Sequence, residues 1–354
     1  MLRCAIVGVG RWGQRLVDAC QQQGQALSER IRFTHAVARS PEKYADYCHD
    51  QQLTLLGDYQ EALANDDIDA VVLATPHSQH FVQIVAATLA GKHVFVEKPF
   101  TLNQKDAVLA AESARKAGVV LAVGHNRRFL PAIQDLKTMI DNGVLGTVSH
   151  IEGNFSGPFA LAYDAKMWRA NAAESPAGGM TAMGIHVVDT FIHLCGPISN
   201  VRAQSLGHLL DVDIDDTTSI MLNFENGVSG MFSTLCATAR QWRIQVFGTL
   251  GWAHLRDHHL LDTCFGDQLH AETKIYSETD IEFAELKAFA EASLSGANYP
   301  VTSEEAVHGI AVQDAIIESA QLSGSLKPVS RNAKWHPAAR DENNFATSKD
   351  HRRK

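Results

Sequence analysis

The sequence predicts an α/β chain that begins as a doubly wound parallel sheet and continues as an α+β region on an open, mainly antiparallel sheet. Three observations carry this. Residues 2–7 form a short apolar run that ends in Gly8-Val9-Gly10-Arg11-Trp12-Gly13 and opens into a helical pattern over 14–23, stopped by Gly24. Strand-like and helical runs then alternate as far as Gly124, the grammar of a parallel sheet with crossover helices. Beyond Gly124 strands follow one another, and Asn226-Gly227 sits between two alternating runs as a hairpin turn.

Taken in order, further strands are expected over 32–38, 70–74, 93–96 and 119–123. Helices are expected over 81–90, stopped by Gly91, and over 103–117, stopped by Gly118. In the second part a helix is expected over 131–141 and another after Gly178-Gly179. Strands follow over 217–224, 228–236 and 243–247. Two late helices cover 281–294 and 303–321, the second opened by Thr302 and Glu305 in capping-box spacing. The expected division is 1–124, 125–335 and a frayed polar tail over 340–354. No repeat or Pro/Ser-rich linker intervenes, so the two domains should pack tightly.

The glycine run lies between a strand and a helix, the context of a dinucleotide fingerprint on a Rossmann fold. Gly8 allows the tight turn, Gly10 lets a pyrophosphate approach the backbone, and Gly13 lets helix and strand pack closely. The helix N-terminus, with Arg11 and Trp12, faces the phosphate charge. Ligands of such sheets bind beyond the carboxyl ends of the strands. Those ends carry Gly8–Gly13, Arg39-Ser40, Thr75-Pro76 and Glu97-Lys98-Pro99. At the second strand's tip the first acid is Glu42, beyond Arg39-Ser40-Pro41. With no carboxylate to repel a 2′-phosphate, Arg39 and Ser40 can grip one, which favours NADP. Arg39 stacked on adenine would be compatible with NAD.

Composition excludes other classes. A chain of 354 residues with 45% hydrophobic and 20% charged residues is globular and long enough for two domains. Its net charge of -9 and lack of a basic stripe argue against nucleic acid or an anionic membrane as partner. No run reaches the length of a membrane span, and the first apolar run reads as a strand rather than a signal peptide. The six cysteines form no C-x-x-C pair, as expected of reduced thiols in a cytoplasmic protein. His254, Asp257, His258, His259 and His270 are ligand types without a metal spacing, so no metal site is expected. Cys236 and Cys264 lack an identifiable base, and no G-x-S-x-G elbow occurs.

Several motifs in order make the chain resemble the Gfo/Idh/MocA family, the glucose-fructose oxidoreductase and inositol dehydrogenase type. They are the glycine run, Thr75-Pro76-His77-Ser78-Gln79-His80, Glu97-Lys98-Pro99, Gly124-His125-Asn126-Arg127-Arg128-Phe129 and the segment from Gly178 to Asp189. Later markers are Asp216-Thr217, Phe224 to Gly227 and Phe247 to Gly251. The resemblance implies an NAD(P)-dependent oxidoreductase that moves hydride between a nicotinamide and a hydroxyl or carbonyl of a sugar or cyclic polyol. It also implies a homodimer or homotetramer formed through the open sheet face.

Oxidising an alcohol requires a base near its hydroxyl, and Lys98 sits at a strand end where the nicotinamide half would lie. Burial and the nicotinamide charge would lower its pKa. In the family the matching Lys contacts the reacting hydroxyl and its bond to Pro is commonly cis. The resemblance makes His186 the general acid/base. Thr75, Pro76, His77, His80, Glu97 and Asn126 join the cofactor contacts, and Arg127 and Thr181 the substrate pocket. Tyr163, Trp168 and Arg169 precede the Gly178-Gly179 helix and suit either a sugar-binding wall or packing at the domain junction.

One departure stands out. Many members carry an Asp one turn before the His; this chain has Ala182. His186 is then oriented by another carboxylate such as Asp189, or Lys98 carries the proton alone. The alternative is a non-catalytic dinucleotide-binding sensor or regulator on the same fold.

Overall fold

The computed structural model describes residues 1–21 and 30–331. The expected helix stop at Gly24, the end of the second domain at 335 and the tail over 340–354 lie outside the described residues.

The chain opens with β1 (Leu2–Val7), α1 (Arg11–Gln21), β2 (Ile31–Val37), α2 (Ala45–Asp50), β3 (Thr54–Leu56) and α3 (Tyr59–Ala64). β4 (Ala70–Leu73), α4 (His77–Leu89), β5 (His93–Val96), α5 (Gln104–Ala117) and β6 (Leu121–Val123) follow. All six strands are parallel, in the order β3-β2-β1-β4-β5-β6. The order reverses between β1 and β4, so the crevice of a doubly wound sheet opens between their carboxyl ends. β4 reads Ala70-Val71-Val72-Leu73 and is buried along its whole length, as a strand covered on both faces must be. α5 is capped by Asn103, whose side chain accepts from the Asp106 amide, and ends at Gly118 in the left-handed conformation.

The second sheet is built from β7 (Val148–Ser156), β8 (Ile198–Leu206), β9 (Thr217–Phe224), β10 (Ser229–Leu235), β11 (Gln241–Gly248), β12 (Gly251–Arg256), β13 (Leu260–Phe265), β14 (Glu272–Ile275) and β15 (Lys327–Pro328). Its order is β14-β13-β12-β11-β7-β10-β9-β8-β15, antiparallel except where β10 runs parallel to β7. The hairpin at Asn226-Gly227 joins β9 to β10. Its helices are α6 (Pro131–Asp141), α7 (Ile185–Cys195), α8 (Ile281–Ser295) and α9 (Ser303–Gln321), with a π-helical turn over Met180–Gly184 feeding α7. The Thr302–Glu305 capping box opens α9 as expected.

The two sheets share one continuous apolar core. α8 returns to pack against α1, β1, β2 and β5, and Phe289 lies against Phe95 with ring centroids 5.8 Å apart. Both rings are fully buried, and truncating either costs about 3–5 kcal/mol. Arg15 of α1 meets Glu282 of α8 at 2.7 Å and Asp280 at 3.0 Å. A helix from late in the chain therefore roofs the first sheet, and this sets the geometry of the cleft. No described helix is long and apolar enough to cross a membrane.

Candidate active site

The glycine turn fits a dinucleotide for reasons visible in its own atoms. Gly8 has φ +96°, and a Cβ there would lie 2.7 Å from the Ala74 carbonyl oxygen. A Cβ on Gly13 would lie 2.0 Å from the Gly8 oxygen, so strand and helix touch through that position. Around Gly10 no atom lies within 4 Å of an added Cβ. Protein packing does not require a glycine there, and the space over it is open to a ligand. The first N–H groups of α1, which starts at Arg11, lack partners within the helix. At the tip of β2, Arg39 is exposed and Ser40 half-buried.

Lys98 follows β5 through a cis bond to Pro99, the isomer expected. It is half-buried, and its ammonium donates to the Ala182 carbonyl at 2.8 Å. Burial drives its pKa down to about 8, with Arg127 and Arg169 adding to the effect against the pull of Glu97. Glu97 is buried behind it, and burial raises this carboxyl while Lys98 draws it back. His186 stands one turn beyond Ala182 and is 4% exposed. Burial, together with nearby Lys98 and Arg127, holds its pKa well below the ordinary histidine value, so the ring is neutral at pH 7. The structure thus gathers Lys98, His186 and Arg127 about one point at the carboxyl end of β5.

Arg127 lies on a short 3-10 turn over Asn126–Phe129. Its guanidinium sits 5.1 Å from the Phe155 ring centre and 5.8 Å from that of Trp242. The Asn126 amide oxygen accepts from Arg127 at 2.7 Å, and its Nδ2 donates to Glu282 at 2.9 Å. Asn126, 1% exposed, is therefore committed to holding Arg127 and does not reach a cofactor with its side chain. The loop ahead of the π turn is strapped to the start of α4. The Glu174 carboxylate accepts from both the amide and the hydroxyl of Ser78, and its carbonyl lies 2.7 Å from His77 Nδ1. His77 meets Trp168 edge-on at 4.8 Å, and the Arg169 guanidinium stacks on Trp168 at 4.1 Å. Tyr163 and Arg11 are near Arg169. The loop and the start of α1 are therefore neighbours.

Three further expectations need correction. His80 is fully buried, with Nδ1 2.9 Å from the Pro99 carbonyl and Nε2 3.0 Å from that of Thr75. It ties two strand ends together and cannot touch a cofactor. Thr181 is fully buried too, its hydroxyl spent on the Pro176 carbonyl at 2.5 Å. Asp189 does not orient His186: Arg128 grips it through Nε at 3.1 and 3.0 Å and Nη2 at 2.8 Å.

Sequence reasoning missed Phe155, Trp242 and His258, which reach the site from the second sheet and its turns. Phe155 lies on β7, a strand the sequence pattern does not show; Trp242 lies at the start of β11, one residue before the expected strand; His258 sits in the turn after β12. Sequence reasoning also missed Glu285, fully buried on α8 with both oxygens unpartnered. Burial and the neighbouring Glu97 and Glu282 push the pKa of that carboxyl well up, which favours its protonated form.

Comparison with known proteins gives consistent matches. Residues 2–125 match the profile described as "Oxidoreductase family, NAD-binding Rossmann fold", and residues 133–254 match the GFO/IDH/MocA C-terminal domain. The chain is 31% identical over 261 residues to the uncharacterized oxidoreductase YrbE of Bacillus subtilis (strain 168), covering 70% of this chain and 72% of that one. It is 27% identical over 230 residues to scyllo-inositol 2-dehydrogenase (NADP(+)) IolU of the same organism, covering 64% and 67%. The structure of levoglucosan dehydrogenase with NADH and levoglucosan shares the fold, at TM-score 0.84 and 21% identity over 93% of this chain and 100% of that one. With both halves matched in order, the chain belongs to the Gfo/Idh/MocA family of oxidoreductases.

Proposed function

We propose that this oxidoreductase transfers hydride between a nicotinamide dinucleotide, NADP in preference to NAD, and a hydroxyl or carbonyl of a sugar or cyclic polyol. The observation that carries the reading is Lys98: half-buried, tied to the Ala182 carbonyl, lowered to about 8, and adjacent to neutral His186. The coenzyme, when bound, supplies the hydride acceptor or donor. Gly8, Gly10, Gly13, Arg11 and Trp12 hold its pyrophosphate, Arg39 and Ser40 its adenosine end, and Thr75, Pro76, His77, Glu97 and Lys98 border the nicotinamide half.

Lys98 takes the hydroxyl proton in oxidation and returns it in reduction. A group with pKa near 8 does both at physiological pH, whereas one at 10.5 only donates. His186 is the second acid/base. Arg127, Tyr163, Trp168 and Arg169 bound the substrate, with aromatic surface for a sugar face and guanidinium groups for its hydroxyls. Exposed Arg39 and the lack of an acid at the β2 tip support NADP. Met221 and Met231, paired and exposed on the open sheet, support a homo-oligomer through that face. Six free cysteines support a reducing, cytoplasmic setting.

Ala182 favours one rival, a sensor that binds the dinucleotide without turnover. The test is nicotinamide absorbance with NADP and NAD over inositols, aldoses and their acids, with Lys98→Met alongside. Turnover confined to the native chain supports the dehydrogenase; tight coenzyme binding with no turnover supports the sensor.

A further inference from the structure

Two buried histidines lie side by side behind the cleft. His186 is 4% exposed and His125, just after β6, is 3% exposed. The Nδ1 of each is sealed from solvent and has no hydrogen-bond partner. Their rings meet edge to face, with centroids 6.1 Å apart and planes at 84°. On its far side His125 Nε2 is 4.0 Å from Asp189 Oδ1, and Arg128 fixes that carboxylate. A buried nitrogen left unpaired costs about 1–3 kcal/mol, so two unpaired nitrogens on neighbouring rings have reason to satisfy each other. Reorientation of the rings or one bridging water would join them.

We propose that His125, backed by Asp189, is the positioning residue for His186, holding the proton of His186 on Nδ1 and leaving Nε2 free to accept from substrate. This rests on the reading of His186 as an acid/base. The proton order follows from charge. The Asp189 carboxylate can only accept, so the proton of a neutral His125 belongs on Nε2 and its Nδ1 becomes an acceptor. That acceptor draws the His186 proton to Nδ1. Lys98 and Arg127, both cations near His186, disfavour a second proton on its ring.

Every charged or titratable neighbour is consistent. His186 feels Lys98 from β5, Arg127 from the 3-10 turn, His125 and His258. His125 feels Asp189, Arg128, Lys98 and Glu305. Burial keeps both rings neutral, so each has one proton to place. Position 182, with only a methyl group, offers no competing carboxylate.

The tautomer can be read without any substrate. The full chain, labelled with 15N-histidine, is examined by long-range 1H–15N NMR at pH 7.5, with His186→Asn assigning the His186 signals. The expected native spectrum shows His186 in the Nδ1–H form, which free imidazole disfavours. His125→Phe, or His125→Asn should Phe not fold, shifts it towards Nε2–H. Adding Ala182→Asp to the His125 variant places a carboxylate one turn before His186 and restores Nδ1–H, which shows that the variant still folds around a His186 able to take that tautomer.

Native His186 in the Nε2–H form overturns the proposal, and so does a tautomer unchanged by His125 substitution. Full turnover by His186→Asn would instead overturn the acid/base reading, since the spectrum does not depend on activity.

Discussion

Replacing Lys98 by Met changes how stability responds to pH by an amount the site sets. In the unfolded chain the lysine titrates near 10.5; in the fold it titrates at about 8. Between those values the unfolded state holds a proton that the native state has released, so native stability rises with pH through that window. Below pH 8 both states are protonated and the fold carries the full cost of a buried ammonium; above 10.5 neither is. The gap corresponds to about 3 kcal/mol at ~1.36 kcal/mol per pH unit. Lys98 keeps some contact with solvent, which makes about 2–3 kcal/mol the expected range. The methionine variant loses this dependence, while the other titrating groups cancel between the two proteins. Urea unfolding of both chains at pH 7, 8, 9 and 10.5 measures it. The native chain should gain on the variant by that amount across the series, mostly above pH 8. Parallel curves would show that Lys98 is not perturbed and would remove the argument for it as a base.

Other substitutions probe the rest of the site. Gly10→Ala should leave the melting temperature within a degree or two but weaken coenzyme binding at least tenfold in a fluorescence titration. Gly13→Ala, whose Cβ would meet the Gly8 oxygen at 2.0 Å, should cost stability as well, visible as a lower urea midpoint. Arg39→Asp should lower NADP affinity tenfold or more while NAD affinity holds or improves, read from paired titrations. Asp189→Asn strips the buried Arg128 of its bidentate carboxylate and should destabilise the fold by about 3–5 kcal/mol in urea unfolding.

Where a local signal exists, the sequence yields the element. Gly118 ends α5, Asn226-Gly227 turns β9 into β10, and the Thr302 capping box opens α9. α4 begins at His77 rather than 81 because Pro76 starts the helix, while its first turn is too polar for an apolar period to show. β3, three residues at the sheet edge, is too short for periodicity, and β7 is masked because polar Ser149, His150, Glu152 and Asn154 interrupt any apolar alternation. The cleft follows the same division. Lys98 and the glycine turn carry their chemistry in adjacent residues and are readable. Burial of Thr181 follows the irregular π turn and that of His80 the carbonyls of Thr75 and Pro99 at two strand ends, and His125 and Asp189 meet only in the fold; no periodic pattern records either.

The central claim is that hydride passes directly between a substrate carbon and the nicotinamide beside Lys98. The most direct measurement is label transfer: carbon-deuterated inositols and aldoses are incubated with the chain and NADP or NAD, and the recovered coenzyme is read by mass spectrometry. Deuterium should appear in the reduced coenzyme from at least one polyol, more readily with NADP, and be absent with Lys98→Met. Tight coenzyme binding with no label from any member of the panel would contradict the claim and leave a dinucleotide sensor in its place.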